Sequence, residues 1–225
     1  MDTVSRVVRS KDEAKASYNR MSRWYDVVAG SSEKKYRDLG LEKLNAQAGE
    51  RILELGYGTG HCIVALATAV SPSGQVCGID LSEGMHVIAQ SRSENAGLAD
   101  IVDLRVGDAA ALPFSPNSFD GVFMSFTLEL FDTPEIPEVL RQCAAVLRPG
   151  GRIAIVSLIK KPGTAVRLYE WFHEKMPSAV DCRPILAQTA LTQAGFTIQD
   201  VTALSMWGLP VEIILAHKPQ EYANV

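Results

Sequence analysis

The chain has 225 residues, of which 47% are apolar and 21% charged. These are ordinary values for a folded globular protein, and they exclude a disordered or collagen-like chain. The formal charge of −4 carries no basic footprint for a nucleic-acid partner, and no apolar run reaches the roughly 18 residues needed to span a bilayer.

Taken in chain order, residues 1–46 read as two helices ahead of the first strand, broken near Asp26–Ser32 by glycine and serine. They are expected to form an N-terminal helical lid. The opening is polar and has no secretory apolar core. Residues 47–225 are expected to form one Rossmann-like unit. Its strands are the short β-branched runs 51–55, 75–80, 101–106, 119–126 and 152–158, each bounded by Gly, Pro, Ser or Asp. Between them, 60–70, 83–96 and 134–147 read as helices, the last ending in Arg148-Pro149-Gly150-Gly151, a strong stop signal. Residues 159–183 form an extension after the fifth strand. The C-terminal stretch reads as two strands around Gly208-Leu209-Pro210, a turn short enough to join only antiparallel neighbours. The expected fold is α/β: a doubly wound, mostly parallel seven-stranded sheet with one antiparallel strand near the C-terminus and helices on both faces. Four cysteines (Cys62, Cys77, Cys143, Cys182) form no Cys-x-x-Cys pair. No metal site and a reduced, cytoplasmic setting are therefore expected.

Leu53-Glu54-Leu55-Gly56-Tyr57-Gly58-Thr59-Gly60-His61 joins the first strand to the first helix of this unit. Its glycines let the backbone turn sharply and approach a ligand, and the helix start behind them offers unpaired N–H groups. A dinucleotide fingerprint needs G-x-G-x-x-G, and here the third glycine comes one position early. Asp80 closes the second strand about 20 residues past Gly60, where doubly wound folds set a carboxylate against ribose hydroxyls. Asp108 follows the third strand on the same edge. Each feature alone has a plain structural explanation: a tight turn, a helix cap. Three in register at one edge point to a nucleoside-type ligand.

In combination, Glu54-Leu-Gly-x-Gly-x-Gly60, Gly-Ile-Asp80-Leu-Ser, Gly107-Asp108-Ala and Leu-Arg-Pro-Gly-Gly151 resemble the class I S-adenosylmethionine-dependent methyltransferases. The opening Tyr18-Asn-Arg-Met-Ser-Arg-Trp-Tyr25-Asp26 is similar to the lead-in helix of the ubiquinone/menaquinone-biosynthesis group. The resemblance covers roughly residues 15–217. It implies S-adenosyl-L-methionine as cofactor, with Gly56 and Gly58 at the methionine moiety and Glu54 ordering the loop. Asp80 would hold the ribose, with Leu81 and Met85 at the adenine end and Asp108 and Ala109 meeting the adenine. Ser125 would lie under the cofactor, with Phe126 and Thr127 leading toward the acceptor, and Tyr25 would reach the methionine carboxylate from the lid. Tyr57 departs from the family's pattern, which has a small residue there. Its ring is expected either to narrow the cofactor pocket or to turn toward the lid.

Methyl transfer from a sulfonium asks the protein mainly to position the acceptor and exclude water. A phenol or ring carbon also needs a proton removed, whereas a thiolate or neutral amine does not. His173 is a candidate base, set against the plainer reading of a packing histidine on an amphipathic helix. Cys182 and Arg183 lie where this group recognises its acceptor. A lone cysteine is more often a small hydrophobe, and Arg183 either holds an anionic group or pairs with Asp181. Glu129 either faces the cofactor or caps the next helix. The aromatics Trp24, Tyr25, Tyr169, Trp171 and Phe172 suggest an apolar acceptor pocket, or pack the added helices. The expected acceptor is small and hydrophobic: a quinol, phenol, amine, aminolipid or thiol. Nucleic acid is not expected as a partner, peripheral membrane contact stays open, and the chain is expected to be a monomer or homodimer. The competing readings are an S-adenosylmethionine-binding protein that transfers no methyl group and a nicotinamide-dependent reductase.

Overall fold

A computed structural model of the chain describes residues 4, 6–7, 9–28, 30–175 and 182–220. Two helices come first, α1 (Lys11–Val28) and α2 (Gly30–Leu44), followed by β1 (Arg51–Leu55), α3 (His61–Val70), β2 (Gln75–Asp80), α4 (Glu83–Asn95) and β3 (Val102–Val106). After these run β4 (Phe119–Ser125), α5 (Ile136–Val146), β5 (Leu147–Leu158), α6 (Thr164–Lys175), α7 (Ala187–Gln193), β6 (Thr197–Met206) and β7 (Leu209–His217).

The seven strands form one sheet in the order β3-β2-β1-β4-β5-β7-β6. All are parallel except β7, which runs antiparallel to both β5 and β6. The expected fold class is thus the observed one. Strand order reverses between β1 and β4, and their carboxyl ends open the crevice where doubly wound sheets bind ligands.

Burial on both faces explains why the strands are continuous apolar runs. In β4, Val122 and Met124 join the core under α5 and α7, while Phe123 joins the core under α2 and α3. β5 alternates likewise, with Ile153 and Ile155 on one side and Ala154 and Val156 on the other. At about 25 cal/mol per Å² of apolar surface, each fully buried branched side chain contributes on the order of 2 kcal/mol.

The sequence placed three boundaries differently. α5 stops at Val146 because Leu147 is already extended, so β5 starts there and not at 152; the extra length pairs with β4 across a register shift between Phe119 and Gly121. The C-terminal turn lies one step earlier than expected, at Trp207-Gly208, both at positive φ (+53° and +84°). Two such residues suit the right-handed twist of a two-residue hairpin. The segment 1–46, expected as one lid, divides in two. α2 packs on β4, β5 and β7, with Leu44 fully buried and Tyr36 Oη donating to Ser205 O at 2.6 Å. A Cβ on Gly40 would meet Val156 at 2.6 Å, so α2 belongs to the cover of the sheet. Among the described residues ahead of α2, those at the crevice lie between Val7 and Tyr18.

Candidate active site

The loop after β1 is built from glycines in left-handed geometry, and two of them serve different ends. Gly56 has φ +68°, and a Cβ there would meet Thr127 at 2.5 Å, so it lets the β1 and β4 ends close on each other. Gly58 has φ +51° and open space where a Cβ would project, so its role is the backbone turn itself. That turn aims the Gly58 N–H at Asp80 Oδ2, 2.9 Å away, while Ser82 N donates to Asp80 Oδ1 at 2.9 Å. Burial raises the Asp80 pKa, and the two backbone donors work against that rise. Ser82 also caps α4, its Oγ accepting from Met85 N at 3.1 Å; such a cap is worth about 1 kcal/mol. Asn19 of α1 extends this cap, its Oδ1 accepting from Ser82 Oγ at 2.7 Å and Gly84 N at 2.9 Å.

At the end of β4 the chain turns through Phe126, a bulky residue at φ +51°. Conformations of that kind collect at functional sites, where the surroundings hold them. Here Phe126 N donates to Val156 O at 2.8 Å.

These elements surround a cavity of about 150 Å³. Of the residues expected at the cofactor, Gly56, Gly58, Asp80, Leu81, Met85, Ala109 and Ser125 line it. Phe126, Thr127, Leu130 and Phe131 form its wall beyond β4, and His173, 4% exposed, reaches it from α6. The set fits S-adenosylmethionine. The Asp80 carboxylate lines the cavity with glycine backbone beside it, and the buried Ser125 Oγ in the wall has no hydrogen-bond partner among the described residues.

Other expected residues fall elsewhere. Glu54 lies beneath the loop, 2% exposed, with its pKa raised well above the usual carboxylate range by burial and by the Asp80 charge. The Tyr57 ring neither narrows the cavity nor turns to the lid. It is buried against Gly78, with Oη 3.0 Å from His86 Nδ1 and donating to Arg105 O at 3.2 Å. Tyr57 sits between two left-handed glycines, and that geometry drives its side chain under the loop. Asp108 is not in the lining; its Oδ2 takes Lys11 Nζ at 2.6 Å and its Oδ1 takes Ala110 N at 2.9 Å. The side chains of Trp24 and Tyr25 lie outside the described residues.

Cys182 and Arg183 stand behind the wall. Cys182 Sγ is 3.8 Å from the Phe126 carbonyl oxygen, and the fully buried Arg183 donates to Phe131 O at 2.5 Å. Arg183 therefore braces the wall from outside the cavity. Glu129 also lies behind it, fully buried and accepting from Leu158 N at 3.3 Å, its pKa pushed up to about 8 by burial. Trp171 and Phe172 point away from the cavity and are exposed, while Tyr169 packs on the core.

The expected lid named Tyr25 as its site residue, and other residues of that segment face the cavity. Val7, Arg9, Ser10, Lys11, Ala14 and Tyr18 all line the cavity, together with Asp132 and Glu135. Arg6 meets Asp132 at 2.5 Å, and that hydrogen bond holds the Asp132 carboxyl down at about 2. Burial works against the Lys11 charge, yet hydrogen bonds to Asp108 and Glu135 leave its pKa above the usual value. Nothing local marks these pairs, since Lys11 and Asp108 are 97 positions apart.

Residues 52–151 match the profile of a methyltransferase domain. The demethylmenaquinone methyltransferase of Symbiobacterium thermophilum is 30% identical over 184 residues, covering 74% of this chain and 72% of that protein. The O-methyltransferase rstn1 of Aspergillus nomiae is 35% identical over 187 residues, covering 80% and 81%. Among solved structures, the [4+2]-cyclase SpnF shares the fold with a TM-score of 0.76 at 21% identity, over 94% of this chain and 98% of that one.

Proposed function

The chain belongs to the S-adenosylmethionine-dependent methyltransferases, and from that premise we propose that its acceptor is a small hydrophobic ring hydroxyl compound of the quinol or phenol class. The cavity wall beyond β4 carries the reading: Phe126, Leu130 and Phe131 offer an apolar surface, and His173 is the imidazole within it. Ligand pockets combine such walls with a few polar groups that fix orientation. Two relatives named above, one acting on demethylmenaquinone and one an O-methyltransferase by name, support the same class.

The cofactor supplies an activated methyl carbon when bound. In this reading Asp80 accepts hydrogen bonds from its ribose, and Gly56, Gly58 and Ser125 hold the end that carries the sulfonium. The apolar wall aligns the ring and keeps water out, which shifts much of the cost of the encounter onto binding. His173 takes the proton that the acceptor hydroxyl must lose. Arg183, Cys182 and Glu129 act on the wall and not on the reacting atoms.

The test is a panel of thiols, amines, phenols, reduced quinones and an aminolipid, each incubated with methyl-labelled cofactor. Label is expected in phenols or reduced quinones. Label confined to thiols or amines would overturn the acceptor class.

A further inference from the structure

α6 has two apolar faces. Val166, Tyr169, Glu170 and His173 recur at three- and four-residue spacing and turn inward, with Val166 and His173 buried and Tyr169 against the core. Leu168, Trp171, Phe172 and Lys175 recur at the same spacing on the other side. There Leu168 is 57% exposed and Trp171 52%, and the Trp171 and Phe172 rings stand edge to face with centroids 5.0 Å apart. Trp207 is a further exposed ring, in the turn that leads into β7, the strand against which α6 packs. It occupies the β6–β7 turn at φ +53° and is 77% exposed. A bulky ring at positive φ is costly, and so is apolar surface left in water.

Cations outnumber carboxylates around this face. Lys161, Arg167 and Lys175 are exposed, and Glu170 is tied to Lys160. Residues 160–175 hold four cations and two carboxylates in a chain of net charge −4. Indole rings, a leucine and flanking cations are the composition that settles at a bilayer interface, the rings at headgroup level and the cations on anionic lipid.

We propose that the outer face of α6, together with Trp207, seats the protein on an anionic lipid bilayer surface. The inference rests on the hydrophobic acceptor proposed above, because the inner face of the same helix carries His173 into the cavity, and the seat brings that cavity to the phase where such an acceptor dissolves.

The full chain is sedimented with phosphatidylcholine vesicles, with and without phosphatidylglycerol, while indole emission is followed. Wild type should partition onto the anionic vesicles with a blue shift. The Trp171→Ser/Phe172→Ser and Trp207→Ser variants should lose about tenfold or more of that partitioning, and Arg167→Glu/Lys175→Glu should lose the preference for phosphatidylglycerol. Circular dichroism and cofactor titration check that each variant is folded. Absent wild-type partitioning, or partitioning equal in all variants, would overturn the proposal. So would a wild-type dimer that Trp171→Ser/Phe172→Ser makes monomeric without vesicle binding, since the face would then join two copies. No acceptor enters this assay. A failed acceptor panel leaves its result standing, and methylation of a detergent-dispersed quinol by a protein that ignores vesicles sinks only the seat.

Discussion

Lys11 Nζ stands 2.6 Å from Asp108 and 2.6 Å from Glu135, so one ammonium ties the start of α1 to the loops after β3 and β4. With Arg6 on Asp132 it forms a strap across the cavity mouth. Ligand pockets for compounds of cofactor size enclose roughly 300–1,000 Å³, well above the 150 Å³ under the strap. Displacement of the strap on cofactor entry is the expected outcome. Lys11→Ala is expected to raise cofactor affinity about two- to fivefold at low salt, since a half-exposed pair is worth at most about 1 kcal/mol, and the gain should shrink as salt screens the pair. Titration calorimetry at two ionic strengths checks this; an unchanged affinity would mean that the pair persists in the complex.

Asp80→Ala should weaken cofactor binding by about 1–3 kcal/mol, the cost of leaving hydrogen-bonding groups without their charged acceptor. Equal binding by mutant and wild type in calorimetry would remove Asp80 from the ribose site.

The glycine loop separates packing from conformation. Gly56→Ala sets a methyl against Thr127 at 2.5 Å and should lower stability by about 2 kcal/mol or more. Gly58→Ala has open space and should cost only about 1 kcal/mol, the penalty of left-handed backbone. Chemical denaturation of the two variants should show that order, and a Gly58→Ala loss equal to that of Gly56→Ala would contradict it.

Glu129 couples stability to pH. Unfolded, it ionises near about pH 4.3; folded, it keeps its proton up to about 8. Between these values the native chain binds the extra proton, so stability falls as pH rises, by at most about 1.4 kcal/mol per unit. Glu129→Gln retains the acceptor for Leu158 N–H and cannot ionise. Its melting temperature should exceed that of wild type at pH 8, with the gap closing toward pH 4. Parallel melting curves across that window would show that Glu129 is ionised in the fold.

His173→Ala should lower kcat by about 100-fold or more with cofactor affinity nearly intact, if the imidazole takes the acceptor proton. A variant that keeps full turnover and loses only stability would leave His173 a packing residue and favour an acceptor that needs no base.

Five strands and the glycine loop could be read in the sequence because burial on both faces leaves unbroken apolar runs, and left-handed turns need glycine. Asp80 followed from its place at a strand end, while Met85, Ala109 and Ser125 followed from the family resemblance; all four line the cavity. What could not be read was side-chain direction and long-range pairing. Tyr57 is adjacent to the loop in sequence yet turns beneath it. Cys182 and Arg183 reach the site region but stop behind Phe126 and Phe131, because the chain doubles back through a bridge between Ile159 and Ile185. Arg6, Lys11, Asp132 and Glu135 carry no local pattern at all; their meeting is a product of the finished fold.

The antiparallel β7 has a consequence for how the protein is made. It is the last strand among the described residues, yet it lies inside the sheet, pairing with β5 on one side and β6 on the other. Until residues 209–217 are available, β5 presents a bare apolar edge and β6 has no neighbour. Unpaired edges of that kind recruit other chains. A ribosome that stalls, or a protease that cuts, ahead of residue 209 thus leaves an aggregation-prone fragment rather than a shortened enzyme.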